Sequence, residues 1–289
     1  MTDGVTGVAA PEALDFEVPR VAGSGIAGLA PAPEMSREEH LALVRDGQLG
    51  SVHSWELVTA VDGPGSRMTL FMAGCPLRCL YCHNPDTMKM KDGEPVTLDA
   101  VMQRILRYRV VFSASGGGLT ISGGEPLMQP AFVKNVLAES KKHGIHTAID
   151  TSGYLGSAMS DADLANLDLV LLDVKSGLPQ TYRALTGREL QPTIDFGDRL
   201  AKLDKKVWVR FVLVPGHTDA PENIDAVGKI VTRWPNVERL EVLPFHQMGR
   251  DKWETLGMRY ELDDVEPPSN AETEAVRQRF RDLGVATVY

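Results

Sequence analysis

Met68-Thr69-Leu70-Phe71-Met72, an apolar run of strand length, leads directly into Ala73-Gly74-Cys75-Pro76-Leu77-Arg78-Cys79-Leu80-Tyr81-Cys82-His83-Asn84. Five more apolar, β-branched runs follow at 119–121, 146–149, 169–174, 207–214 and 240–243. Helical patterns cover about 98–111, 130–143, 161–166, 192–205, 221–234 and 272–283. Short buried strands separated by helices of this length are βαβ units around a parallel sheet. Six units predict an α/β fold with an incomplete barrel, although a doubly wound open sheet has the same periodicity. In both, active residues collect at the C-terminal ends of strands. The unusual residues fall there: the cysteine loop, Gly123-Gly124-Glu125-Pro126, Asp150-Thr151, Asp173-Val174-Lys175, Pro215-Gly216-His217 and Pro244-Phe245-His246.

Before residue 49 the chain reads as an extension to a single domain spanning 49–289. Residues 1–35 are rich in Gly, Ala and Pro and have no apolar period, which predicts a disordered arm. Its literal G-x-G-x-x-G (Gly23, Gly25, Gly28) lacks the preceding strand and following helix of a dinucleotide site and reads as linker. A short helix is expected at 36–46, with Ser36 as N-cap and Glu39 three residues on. The net charge of −9 disfavours nucleic acid as a partner, and no apolar run approaches the ~18 residues of a membrane span. With no basic-then-apolar leader, the expected location is the cytoplasm, without a membrane partner.

The three cysteines, Cys75, Cys79 and Cys82, sit within one loop, which argues against a disulfide framework. Thiolates spaced C-x3-C-x2-C can hold three corners of a [4Fe–4S] cube, leaving the fourth iron open to a substrate. Two other readings use the same residues. Cys79 to His83 is formally a C-x-x-C-H haem-attachment motif, and Cys75, Cys79, Cys82 and His83 could form a Cys3His zinc site. Spacing favours the cluster and leaves the others open. Gly123-Gly124-Pro126 is equally ordinary turn chemistry, and an Asp after a strand is often a helix N-cap.

Tyr81 completes a C-x3-C-x2-aromatic-C pattern, the signature of the radical S-adenosylmethionine (SAM) superfamily. From about residue 50 to 289 the chain resembles the pyruvate formate-lyase activating enzymes, which are glycyl-radical-enzyme activases. The resemblance is carried by Val61-Asp-Gly-Pro-Gly-Ser-Arg67, Cys79-Leu-Tyr-Cys-His-Asn84, Tyr108-Arg109, Ala114-Ser-Gly-Gly-Gly-Leu-Thr120, Ser122-Gly-Gly-Glu125, Gly144-Ile-His-Thr147, Asp150-Thr-Ser-Gly153, Leu172-Asp-Val-Lys175, Lys206-Val-Trp-Val-Arg210 and Leu243-Pro-Phe-His246. Ser66, where an aliphatic residue is usual, and the N-terminal extension depart from the pattern.

This resemblance implies a partial (β/α)6 TIM-type barrel that uses SAM and a [4Fe–4S] cluster to place a glycyl radical on pyruvate formate-lyase. Flavodoxin or ferredoxin is the implied electron donor, and a monomer is expected. Cys75, Cys79 and Cys82 would hold the cluster, and Tyr81, His83 and His246 would lie near SAM. Gly123, Gly124 and Glu125 would take the SAM amine. Asp173, Lys175 and Arg210 would surround its carboxylate. Asp150, Thr151 and Asp173, with a carbonyl near Leu171, would hold a monovalent cation, Na+ or K+. Asp62 would face the partner. The lack of extra cysteines sets the chain apart from activases that carry a ferredoxin-like insert, but an activase of another glycyl radical enzyme stays an alternative. So does a non-catalytic Cys3His module. No role is assigned to Trp208, His217 or Trp253.

Overall fold

The computed structural model describes residues 25–59 and 61–289. Eight strands form one sheet: β1 (Leu49–Thr59), β2 (Arg67–Met72), β3 (Glu94–Thr97), β4 (Gly118–Gly123), β5 (His146–Thr151), β6 (Leu169–Asp173), β7 (Val207–Leu213) and β8 (Val237–Pro244). Their order is β3-β1-β2-β4-β5-β6-β7-β8. The six anticipated strands, β2 and β4 to β8, are mutually parallel and follow one another in chain order. A doubly wound sheet reverses its order at a switch point; this one does not, which decides for the partial barrel. The remaining two strands were not anticipated. β1 pairs antiparallel with both β2 and β3.

Ten helices accompany the described strands: α1 (Arg37–Arg45), α2 (Leu98–Arg107), α3 (Arg109–Ser115), α4 (Pro130–Lys142), α5 (Asp161–Leu164), α6 (Pro179–Thr186), α7 (Gln191–Lys202), α8 (Pro221–Val231), α9 (Arg250–Thr255) and α10 (Asn270–Asp282). Alternation decides which strand residues meet them. Leu119 and Ile121 of β4 join Phe132, Val133, Val136 and Leu137 of α4 in the main core. The opposite face points into the barrel and carries a small apolar layer, Ala148, Leu169, Leu171 and Trp208. Above that layer the interior turns polar. On the far edge of β8 the C-terminal residues add backbone bonds, Tyr289 N–H to Leu240 O at 2.9 Å and Val242 N–H to Tyr289 O at 2.8 Å.

Residues 25–48 differ from the expected loose extension; residues 1–24, with Gly23 of the glycine motif, lie outside the described residues. Gly25 bridges Ser54 and Pro31 bridges Val96, so this stretch uses the free edges of β1 and β3. Leu29 is 4% exposed within the core. Burying one leucine contributes about 2 kcal/mol, and the backbone bonds Trp55 N–H to Gly25 O (3.2 Å) and Ala32 N–H to Pro95 O (2.7 Å) add to it. Tertiary contacts here override a composition that has no order of its own. α1 begins as anticipated: Glu39 N–H donates to Ser36 Oγ (3.2 Å), and Ser36 N–H donates to the Glu39 carboxylate (2.9 Å).

Candidate active site

The C-terminal ends of the parallel strands open into a cavity with about 1190 Å3 of empty space. Every anticipated site residue lines it except Asp62. Strand ends far apart in sequence converge because all six strands point the same way.

The cysteine loop is fixed along its length. Gly74 N–H donates to Thr87 O (2.7 Å), Cys75 N–H to Met88 O (3.1 Å), Arg78 N–H to Thr186 O (2.8 Å) and Leu80 N–H to Leu185 O (2.9 Å). At its end Trp253 Nε1 donates to Cys82 O (2.9 Å). All three cysteines are free thiols. Burial, then the neighbouring Cys79, pushes Cys75 and Cys82 up to about 12. Burial likewise raises Cys79. Such thiols surrender their protons to a metal rather than to water.

Beside them, Gly124 crosses the loop so closely that a Cβ would stand 2.4 Å from Gly74 O. Glu125 is 1% exposed. Its Oε1 accepts from Thr151 Oγ1 (2.7 Å) and Leu127 N (3.2 Å), and its Oε2 from Ser152 Oγ (2.6 Å) and Ser152 N (3.0 Å). A carboxylate has about four acceptor sites, and protein donors fill them, although burial still raises the group. The expectation of an ammonium on the Glu125 carboxylate therefore meets a carboxylate already occupied. What the side chain does is bind the β4 loop to the end of β5.

Asp173, Arg210 and Glu241 are register partners on β6, β7 and β8. Arg210 meets Asp150 (3.2 Å), Glu241 (3.3 Å) and Asp62 (3.5 Å) and also donates to Val61 O. Burial opposes its charge, but these carboxylates outweigh it and hold the guanidinium ionised. Asp62 thus lies beneath the cavity wall, bonded to Thr69 Oγ1 at 3.1 Å, and reaches the site through Arg210. Lys175 pairs with Asp173 at 2.8 Å and stands 5.7 Å above the Tyr81 ring. Against burial, Asp173 first among its neighbours keeps the ammonium charged. Burial pushes Asp150 up to about 7, which Arg210 offsets only in part. Among the described residues, Asp150 Oδ1 and the Tyr81 hydroxyl are buried without a hydrogen-bond partner. The His83 and His246 rings meet edge to face, 5.0 Å between centroids.

A family model described as the Radical SAM superfamily matches residues 69–226. The chain is 43% identical over 239 residues to the pyruvate formate-lyase-activating enzyme of Staphylococcus aureus, covering 80% of this chain and 94% of that one. The chain belongs to the radical SAM superfamily, among the pyruvate formate-lyase-activating enzymes. Solved structures agree on the fold. A radical SAM methyltransferase from Sphaerobacter thermophilus superposes with TM-score 0.55 at 13% identity, covering 88% of this chain and 81% of that one. Streptococcus suis SuiB bound to its precursor peptide SuiA gives 0.55 at 17%, covering 74% and 46%.

The radical SAM family uses SAM and a [4Fe–4S] cluster, and this activating-enzyme cavity has features suited to both. It presents three free thiols from one loop, a glycine crossing with no room for a side chain, and two buried polar atoms lacking partners. Four contributors escaped sequence reasoning. Ser152 secures Glu125, Glu241 secures Arg210, and Lys252 and Trp253 of α9 hold the cysteine loop. Glu241 had a visible signal, an acidic residue on the inward alternation of a buried strand. α9 had none beyond its single tryptophan.

Proposed function

We propose that this chain activates pyruvate formate-lyase, with Cys75, Cys79 and Cys82 holding a [4Fe–4S] cluster and the adjoining cavity holding SAM. When bound, the pair supplies reductive cleavage of SAM and thereby the 5′-deoxyadenosyl radical that takes a hydrogen atom from a glycine α-carbon of the partner. The observation that carries this reading is the convergence of three free thiols, the Gly123-Gly124 crossing and the β5 to β7 end residues on one cavity, in a chain closely related to an enzyme of that name.

Around that chemistry the side chains divide the work. Glu125 fixes the glycine loop, so the SAM amine falls to that loop's peptide carbonyls. Lys175 offers an ammonium to the SAM carboxylate while Asp173 holds it in place. Asp150 Oδ1, without a donor, suits a monovalent cation shared with Thr151 and Asp173, Na+ or K+. Tyr81, His83 and His246 wall the ligand and limit water. Arg210 carries the Asp62 loop, on which the partner's glycine segment bears. A flavodoxin or ferredoxin supplies the electron.

The test is anaerobic reconstitution followed by activation of pyruvate formate-lyase. About four iron and four sulfide per chain are expected, with a glycine-centred EPR doublet on the partner. Deuterium at the partner's glycine should pass into 5′-deoxyadenosine. If 5′-deoxyadenosine forms with neither glycyl signal nor deuterium transfer, the activase reading is wrong.

A further inference from the structure

The cavity side of the cysteine loop faces the site proposed for SAM and the partner's glycine. An electron must then reach the same loop from its other side. That outer face carries two exposed guanidinium groups. Arg78 donates through Nη1 to Cys75 O (2.7 Å) and Leu77 O (2.6 Å), and Arg188, at the end of α6, donates through Nε to Pro76 O (2.7 Å). Lys89 is also exposed, one residue past Met88, whose carbonyl holds Cys75 N–H. Among the described residues none of the three has a carboxylate partner, whereas Arg233 pairs with Asp198 and Arg279 with Asp225 on other faces, and Arg37, Arg107 and Arg109 are likewise unpaired. The arginines also bond to the backbone of the thiol loop itself, so whatever seats on them lies directly against it.

We infer that Arg78, Arg188 and Lys89 form the docking surface for an acidic one-electron carrier protein, which delivers its electron through the outer face of the cysteine loop. The inference rests on the proposed cluster. The carrier loses one electron and the cluster gains it, with no proton or bond exchanged. Uncompensated charge around a redox loop steers an oppositely charged partner and raises association rates about 10-fold or more at low salt.

The test follows loss of the cluster's visible absorbance by stopped flow in the reconstituted full chain. Reduced flavodoxin serves as the acidic carrier, and photoreduced 5-deazariboflavin as an uncharged control. For the wild-type chain, reduction by flavodoxin should slow steeply with added salt and reduction by deazariboflavin should not. Arg188→Glu combined with Lys89→Glu should lower the flavodoxin rate about 10-fold at low salt and flatten its salt dependence. The deazariboflavin rate should stay unchanged. Equal flavodoxin rates in wild type and variant, both with full iron content, would overturn the inference, as would a wild-type rate indifferent to salt. A wild-type chain that binds no iron and sulfide fails the underlying reading instead. Arg78→Glu is measured alongside; if its loop contacts prove necessary for cluster retention, the double variant and the salt series still decide.

Discussion

Arg210 Nη1 lies 3.2 Å from Asp150 Oδ2, with the two side chains 9% and 17% exposed. The same guanidinium serves Glu241 and Asp62, so one cation stands among three carboxylates inside the barrel. This arrangement links the wall of the cavity to the loop before β2 through a single side chain.

Replacing that cation should therefore cost more than losing any one of its bonds. Arg210→Met leaves the largely enclosed Asp62 and Asp150 without the cation they share, while Glu241 keeps Arg239 at 2.7 Å, and removing one partner of a buried pair costs about 3–5 kcal/mol. A lower urea midpoint is expected for Arg210→Met, and adding Asp150→Asn should recover part of the loss. Strictly additive costs in that double-mutant cycle would show that the two side chains are not coupled.

The proposed cation should show itself through pH. Burial raises the Asp150 carboxyl from 3.8 to about 7, so the folded chain holds that proton longer than the unfolded one. The contribution to stability is then full below the unfolded value and is lost as pH rises through about 7. A monovalent cation at Oδ1 favours the ionised form and offsets the loss. K+ or Na+, compared with choline, should raise Tm more at about pH 8 than at about pH 5. Equal increments at both values would remove the cation from this site.

The Gly124 crossing is predicted to be intolerant of any side chain. A Cβ there would fall 2.4 Å from Gly74 O and 2.9 Å from Thr87 O, both backbone atoms. Gly124→Ala must displace the cysteine loop, so both cluster content and SAM affinity should fall. Glu125→Gln, which turns two accepting positions into donors facing Ser152, should cost about 1–3 kcal/mol and weaken SAM binding without emptying the cluster. Unchanged equilibrium binding of SAM by Gly124→Ala would refute the crowding argument.

What the sequence disclosed and what it hid have separate physical causes. The six parallel strands are short, apolar and bounded by helices, and their period survives tertiary contact. β1 was hidden because its pairing with β2 shifts register between Val52 and Ser54 and again between Leu57 and Thr59, breaking the alternation that marks a strand. Residues 25–35 carry almost no local signal and are ordered by the edges of β1 and β3, which only the folded sheet creates. Cavity residues were legible where motif and strand end coincide, as at Cys75, Glu125 and Asp173. The filled carboxylate of Glu125 and the half-buried position of Asp62 depend on neighbours 26 and 148 residues away, which spacing does not encode.

The clamp from α9 yields the last prediction. Trp253 Nε1 reaches Cys82 O, and Lys252 Nζ reaches Asn84 Oδ1 at 2.7 Å and Asp86 at 3.1 Å. Both act on the segment just after the third thiol, from a helix outside the part of the chain that matches the superfamily model. Trp253 also packs on Tyr260, 5.5 Å between centroids, so phenylalanine can keep the apolar contact while deleting the N–H. One hydrogen bond to a carbonyl contributes about 1 kcal/mol, or roughly fivefold in an equilibrium. Trp253→Phe should therefore leave Tm nearly unchanged while iron passes to an added chelator several times faster. Lys252→Met, which leaves Asp86 with His53 as its remaining partner and frees Asn84, should accelerate the release further. Because the expected change is in cluster retention rather than in global stability, a Trp253→Phe chain that melts early but releases iron at the wild-type rate would assign the residue to packing alone.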